Sequence, residues 1–230
     1  MTQLTPEAQA IVAAHPNLAL PVIGEPALNY SRDDAVYRHA KQACLALGFI
    51  EIDAECVALA WLAQAQRTGR FDPQAWPDEP ADFGLRPWPR ADAFAACPKA
   101  LGLYAVLPDA QWVGRVARAG VPTVQLRFKS DDAAAVRREV QASVEAVRGT
   151  NALLFINDHW REAIAAGAYG VHLGQEDMEI ADFAAIRAAG LRLGLSSHGY
   201  AEMVRADRMS PSYLAMGAVY PTTLKRMATA

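Results

Sequence analysis

Gln125, Arg127 and Lys129 occupy alternate positions in the run Thr-Val-Gln-Leu-Arg-Phe-Lys at residues 123–129. In a strand, alternation sends these three to one face and Val124, Leu126 and Phe128 to the other. Apolar side chains facing a helical layer are ordinary. A Gln, an Arg and a Lys on an inner face are not, because a buried unpaired cation is very costly. Either they reach out of the mouth of the fold or pair with acids inside it, or they bind an anion. Arg then offers a two-pronged donor and Lys a point charge to phosphate. The anion site is the reading adopted.

Further along, Phe155-Ile-Asn157-Asp158 and Gly170-Val-His-Leu-Gly-Gln-Glu-Asp177 each set a carboxylate just beyond a strand end. Neighbouring strands lie about 4.8 Å apart, so Asp158 and Asp177 are within reach of one cation between them. Mg2+ suits such a site, since it takes one or two carboxylates and completes its shell with water and phosphate oxygens. Taken singly, Asp158 reads as the cap of a helix starting at His159, and Asp177 as a cap in its own turn. Beside the inward cations, a metal–phosphate site is the better reading. Tyr220-Pro-Thr-Thr-Leu-Lys225 adds hydroxyls and a second lysine to the same rim.

The histidines say less. His172, between Val171 and Leu173, reads as a hydrogen-bonded core residue rather than a ligand. His159 and His198 fall in loops at strand ends, and neither has an evident acid partner. Ser196-Ser197-His198 has no nucleophile elbow and no Asp orienter around it, which speaks against a hydrolase triad.

The elements that must position these residues repeat as strand, turn and helix. Strands are predicted at Leu103–Leu107, Thr123–Lys129, Leu153–Asn157, Gly170–Gly174, Arg192–Ser196 and Tyr213–Tyr220. Helices are predicted at Gln111–Ala119, Asp131–Arg148, Trp160–Ala166, Ile180–Ala189 and Ala201–Met209, with glycines where helices should stop. This is the grammar of consecutive β/α units on a parallel sheet, either doubly wound or a (β/α)8 barrel. In both, ligands meet the C-terminal ends of the strands. No G-x-G-x-x-G follows the first strand, which weakens the dinucleotide version of the open sheet.

Residues 1–100 differ. Six prolines crowd into residues 73–98, among Trp76, Trp88 and Phe94, and forbid regular helix or central strand there. The stretch reads as an extended connector lying against a surface. Ahead of it, residues 32–68 read as a helical hairpin, with Ser31-Arg-Asp-Asp34 as the first start, Gly48 as a stop and Asp53 opening the second helix. His39, Cys44 and Cys56 within it suggest no chemistry. The division expected is 1–70 helical extension, 71–100 connector and 101–230 barrel.

Composition bounds the class. Of 230 residues 52% are hydrophobic and 20% charged, so the chain can bury a core. A net charge of −3, with no basic stripe, speaks against a nucleic-acid module. Three cysteines without C-x-x-C spacing argue against a disulfide framework or structural zinc. No basic-then-apolar leader opens the sequence and no run of roughly 18 apolar residues occurs, so a cytoplasmic protein without a membrane span is expected.

Together, six segments resemble the thiamine-phosphate synthase family: Gly102-Leu-Tyr-Ala, Gln125-Leu-Arg-Phe-Lys129, Phe155-Ile-Asn-Asp158, Gly170 to Asp177, Gly194-Leu-Ser-Ser-His198 and Gly217-Ala-Val-Tyr-Pro-Thr-Thr-Leu-Lys225. They stand in the family's order and spacing over roughly residues 101–230. The resemblance implies an α/β fold, a (β/α)8 barrel of the TIM type. It also implies a transferase of thiamine biosynthesis that joins an aminopyrimidine methyl diphosphate to a thiazole phosphate with release of pyrophosphate. By position, Gln125, Arg127 and Lys129 would hold the pyrimidine diphosphate with Asn157 beside them. Asp158 and Asp177 would hold Mg2+, Ser196 would contact the pyrimidine, Lys225 would neutralise diphosphate charge, and Thr222 would contact the thiazole phosphate. Leu224 replaces a second family Thr, which puts one phosphate contact in doubt. Phe128 replaces a frequent acidic residue and should face the helices.

Only six strands are counted, where the resemblance expects eight, so truncation after the sixth strand is expected. Two other readings follow. One is a non-catalytic remnant that keeps the pyrimidine-diphosphate and Mg2+ half-site. The other is a thiazole tautomerase-like relative, which needs no diphosphate clamp.

Overall fold

The computed structural model describes residues 3–22 and 28–217. The elements are α1 (Pro6–Ala14), α2 (Ala35–Ala46), α3 (Glu51–Thr68), β1 (Tyr104–Leu107), α4 (Ala110–Arg118), β2 (Thr123–Leu126), α5 (Ala133–Val147) and β3 (Leu153–Asn157). There follow α6 (Trp160–Ala166), β4 (Gly170–Leu173), α7 (Phe183–Ala188), β5 (Arg192–Ser197), α8 (Tyr200–Asp207) and β6 (Tyr213–Met216). Among the described residues, one compact unit holds the chain to Trp88 together with His198–Arg208, and a second holds Pro89–Ser197 with Met209–Gly217.

In the second unit all six strands are parallel and adjacent in chain order, β1 to β6. One face is made by Val124 and Leu126, Leu154 and Ile156, Val171 and Leu173, and Leu193 and Leu195, all buried. The register sets them side by side, with Leu126 opposite Ile156, Ile156 opposite Val171 and Val171 opposite Leu193. Each such side chain contributes about 1.5–3 kcal/mol relative to an exposed one. The alternate positions, Gln125, Phe155, Asn157, His172 and Tyr213, make the other face.

That second face is concave. β1 and β6 end the strand order, so a flat sheet would hold them about 24 Å apart. Yet the hydroxyls of Tyr104 on β1 and Tyr213 on β6 lie 2.7 Å from each other. The sheet therefore curls until its edge strands face one another across an interior, the α/β architecture of a (β/α) barrel. Room for Tyr213 comes from Gly194, where a Cβ would stand 2.2 Å from the Tyr213 ring. The segment after Pro89 belongs to this unit: Phe94 is buried, its N–H donates to Ser210 O at 3.0 Å, and its ring meets Phe183 edge-on.

Strand and helix bounds differ from the sequence expectation at the ends. β2 stops at Leu126 rather than Lys129, since the rung from Arg127 N–H to Leu107 O is the last to β1. α7 starts three residues later than expected because Asp182 caps it, accepting from Ala185 N, while Asp177–Glu179 form a 3-10 turn. β6 is described to Met216, and Tyr220 lies outside the described residues.

In the first unit, α1 packs on the α2–α3 hairpin around Ile11, Tyr37, Cys44, Val57 and Trp61. α1, which the sequence reading did not single out, is capped by Thr5 and tied to α2 by a 2.8 Å bond between Thr5 Oγ1 and His39 Nδ1. The cap of α2 is Asp34, not Ser31; Ser31 instead donates to Glu55. Glu55 and Glu51 each approach Lys41 Nζ at 2.6 Å. Burial pulls the Lys41 pKa down, but these hydrogen bonds outweigh it and hold the ammonium above its ordinary range. α3 begins at Glu51 rather than Asp53, and the buried Asp53 turns inward to α8, accepting the Ala201 N–H. Gly199 makes that approach possible, because a Cβ there would stand 2.1 Å from Asp53 Oδ2. Trp76, from the proline-rich stretch, lies against Trp61 and His15 and donates to Tyr200 Oη at 3.2 Å.

Candidate active site

The C-terminal ends of β2, β3, β4 and β5 bring the sequence-derived residues of the second unit together in two tiers. The inner tier is neutral. Gln125 and Asn157 are both buried, and Gln125 Nε2 donates to Asn157 Oδ1 at 2.7 Å. Tyr104 Oη donates to Gln125 Oε1 at 2.9 Å. Ser196 Oγ lies 2.8 Å from His172 Nε2, and His172 Nδ1 lies 2.8 Å from Tyr213 Oη. With the Tyr104–Tyr213 contact, these six side chains form one unbroken hydrogen-bonded chain. The Ser196 carbonyl is also held, by Gln175 Nε2 at 2.7 Å.

The outer tier is charged. Arg127 and Lys129 stand past the end of β2 and are exposed, so the cations escape burial by reaching beyond the strand rather than lining it. Lys129 Nζ pairs with the Asp158 carboxylate. Arg127 has no ion-pair partner among the described residues. Asp158 is not a helix cap: α6 is preceded by His159, without a side-chain cap bond. Its φ of 63° is left-handed, uncommon outside glycine. That backbone turn, with the Asp158 N–H donating to His172 O at 3.0 Å, aims the carboxylate at the rim.

Asp177 Oδ2 accepts the Gly174 N–H at 2.8 Å, which closes the turn after β4. Burial raises its pKa first. The Gly174 bond opposes that, the facing Asp158 carboxylate raises it further, and Lys129 lowers it. Two carboxylates facing each other beside a lysine make an all-oxygen donor set of the kind Mg2+ takes. Among the described residues no group of three or more His, Cys, Asp or Glu is placed for a metal, so water and substrate oxygens would complete such a shell. Thr222, Leu224 and Lys225 lie outside the described residues.

His172 is the hydrogen-bonded core residue the sequence suggested; burial drives its pKa down to about 4. His159 Nε2 lies 3.0 Å from Phe128 O and ties the β2 and β3 loops together. His198, in the first unit, does have an acid partner: Glu202 Oε2 lies 2.6 Å from Nδ1 and accepts its backbone N–H at 2.9 Å. The i,i+4 spacing at a helix start carried that signal. The roles of Tyr104 and Tyr213 were missed. Their clue was a phenol at an inward-facing strand position, where a hydroxyl needs a partner.

A family model described as thiamine monophosphate synthase matches residues 103–230. Thiamine-phosphate synthase of Neisseria meningitidis is 60% identical over 130 residues, covering 56% of this chain and 63% of that protein. The Photorhabdus laumondii protein of the same name is 50% identical over 134 residues, covering 58% and 62%. A solved thiamine phosphate pyrophosphorylase from Pyrococcus furiosus is 30% identical, with a TM-score of 0.48 over 53% of this chain and 62% of that one. The chain thus spans less than two thirds of the length of these relatives. The matched residues begin at β1 and leave α1 to α3 outside, and through them the chain belongs to the thiamine monophosphate synthase family.

Proposed function

We propose that residues 101–230 carry a thiamine-phosphate synthase site, with residues 1–70 a helical extension and 71–100 a connector. The reaction joins 4-amino-2-methyl-5-(diphosphooxymethyl)pyrimidine to thiazole phosphate, giving thiamine phosphate and pyrophosphate. The observation that carries this reading is the charged tier, Arg127, Lys129, Asp158 and Asp177, set at strand ends above the neutral Gln125–Asn157 pair.

The chemistry suits these residues. The bond between the pyrimidine methylene and the diphosphate oxygen breaks, and its electron pair leaves with pyrophosphate. The methylene cation is supported by the aminopyrimidine ring, and the thiazole nitrogen donates the new bond. No proton need be removed, so a site of cations and acids without a catalytic base is sufficient. Arg127 and Lys129 would spread the charge on the leaving diphosphate, with Lys225 as a third cation. Asp158 and Asp177 would hold Mg2+, which when bound would neutralise further phosphate charge. Asn157, Gln125 and Ser196 would orient the pyrimidine, and Thr222 would contact the thiazole phosphate.

A tautomerase has no use for a diphosphate clamp, and Lys129 paired with Asp158 beside Asp177 favours the synthase. Calorimetric titration of the pyrimidine diphosphate into the chain tests the assignment. Binding that needs Mg2+ and is lost with EDTA is expected. Binding indifferent to chelator would favour the tautomerase-like relative, and Mg2+-dependent binding with no thiamine phosphate formed once thiazole phosphate is added would favour the remnant.

A further inference from the structure

Each hydroxyl in the inner tier has a single proton, and the hydrogen bonds leave few ways to place it. Tyr104 gives its proton to Gln125 Oε1, so in the 2.7 Å contact between phenols Tyr213 is the donor. Tyr213 oxygen must then accept from His172 Nδ1, 2.8 Å away. A neutral imidazole with its proton on Nδ1 has a bare Nε2, which accepts the Ser196 hydroxyl at 2.8 Å. At the other end, Gln125 Nε2 donates to Asn157 Oδ1, so the Asn157 amide keeps its two N–H donors for another partner.

We infer that Tyr104 and Tyr213 are positioning residues that fix His172 as its Nδ1–H tautomer, so that Ser196 offers its lone pairs to the ligand as an acceptor while Asn157 offers a donor. Ser196 therefore suits an exocyclic amino group, a donor, better than a carbonyl oxygen, on a ring joined to an anionic group. This rests on the proposed function and deepens it, because an aminopyrimidine diphosphate has that polarity.

Two features hold the arrangement. Both tyrosines are kept protonated by burial, with the neighbouring phenol adding to that at Tyr213. Among the described residues, the ring nitrogens of the buried His172 meet only the hydroxyls of Tyr213 and Ser196, so the ring stands between two neutral partners and one nitrogen is left bare to accept. Reversing the chain would leave Asn157 offering its carbonyl in place of its N–H groups, which would set acceptor against acceptor at a diphosphate oxygen.

Nitrogen-15 NMR of histidine-labelled chain near neutral pH tests this without any substrate, with His172→Gln assigning the resonance. The expected result is an Nδ1-protonated His172 in the wild type and a shift toward Nε2–H in Tyr213→Phe, and also in Tyr104→Phe, where Tyr213 turns its proton to His172. An Nε2-protonated His172 in the wild type, or tautomers unmoved in both variants, would overturn the inference. Calorimetry then compares the 4-amino pyrimidine diphosphate with its 4-oxo analogue. A preference of roughly tenfold or more for the amino compound, reduced in Tyr213→Phe, is expected. Equal affinity for both ligands would overturn the selectivity. Failure of either to bind, with the Nδ1–H tautomer present, would count against the proposed function and leave the tautomer assignment intact.

Discussion

The carboxylate of Asp53, inside α3, accepts the backbone N–H of Ala201 in the first turn of α8 at 2.7 Å, across 148 residues of sequence. A helix whose own N-cap is Gly199, with no side-chain cap bond, is thus capped by another helix. Replacing an N-cap acceptor by Ala costs typically about 1 kcal/mol, so Asp53→Ala should destabilise the chain by roughly 1–2 kcal/mol. Burial raises the Asp53 pKa against the opposing bonds from Ala201 and Tyr200, so the charged form is disfavoured in the fold. A raised carboxyl pKa adds stability at acid pH that is lost as pH rises through the folded value. Asp53→Asn, which keeps the acceptor without the charge, should therefore match or exceed the wild type in urea denaturation at neutral pH. Equal losses in both variants would contradict this.

His172 sets a pH limit of the opposite sign. Its folded pKa, about 4, lies below the ordinary value of 6.5, because burial disfavours the imidazolium. The unfolded chain then binds the extra proton between those values, and stability is full above pH 6.5 and falls as pH drops toward 4. The window corresponds to about 3 kcal/mol. Denaturation midpoints followed from neutral to acid pH should show this slope, and His172→Gln should flatten it.

Gly194→Ala would drive a methyl group into the Tyr213 ring, where a Cβ would come within 2.2 Å. Overpacking of this kind costs about 1–3 kcal/mol. Tyr213 must move, and the Tyr104 and His172 bonds with it. A loss in urea midpoint with altered tyrosine fluorescence is expected; an unchanged midpoint would show that β6 accommodates freely.

Much of the second unit was legible. β3 and α6 fall where periodicity put them, since a strong apolar run makes β3 and Gly167 stops α6. Ends set by side-chain caps, such as Asp182 at α7, shifted by a few residues. Of the site, the inward position of Gln125 and the acids at strand ends were visible because strand parity and strand ends are sequence properties, whereas Arg127 and Lys129 lie past the end of β2, where parity no longer places them. The chain through Tyr104, His172 and Tyr213 was not visible, because it depends on how far the sheet curls. Asp53 reads locally as a helix opener, and only tertiary packing shows its partner, Ala201.

Lys129→Ala separates binding from folding. The Lys129–Asp158 pair is exposed on the lysine side, and such pairs contribute about 0–1 kcal/mol. Stability should barely change, whereas affinity for pyrophosphate with Mg2+ should fall roughly tenfold or more with the loss of a charge-assisted contact. Unchanged affinity would remove Lys129 from the diphosphate site.

The most direct measurement is turnover. The 230-residue chain, incubated with both substrates and Mg2+, is followed by oxidation of thiamine phosphate to fluorescent thiochrome. Formation abolished by EDTA and by Asp158→Ala is the expected result. A folded chain that binds neither substrate and forms no thiamine phosphate would contradict the synthase assignment.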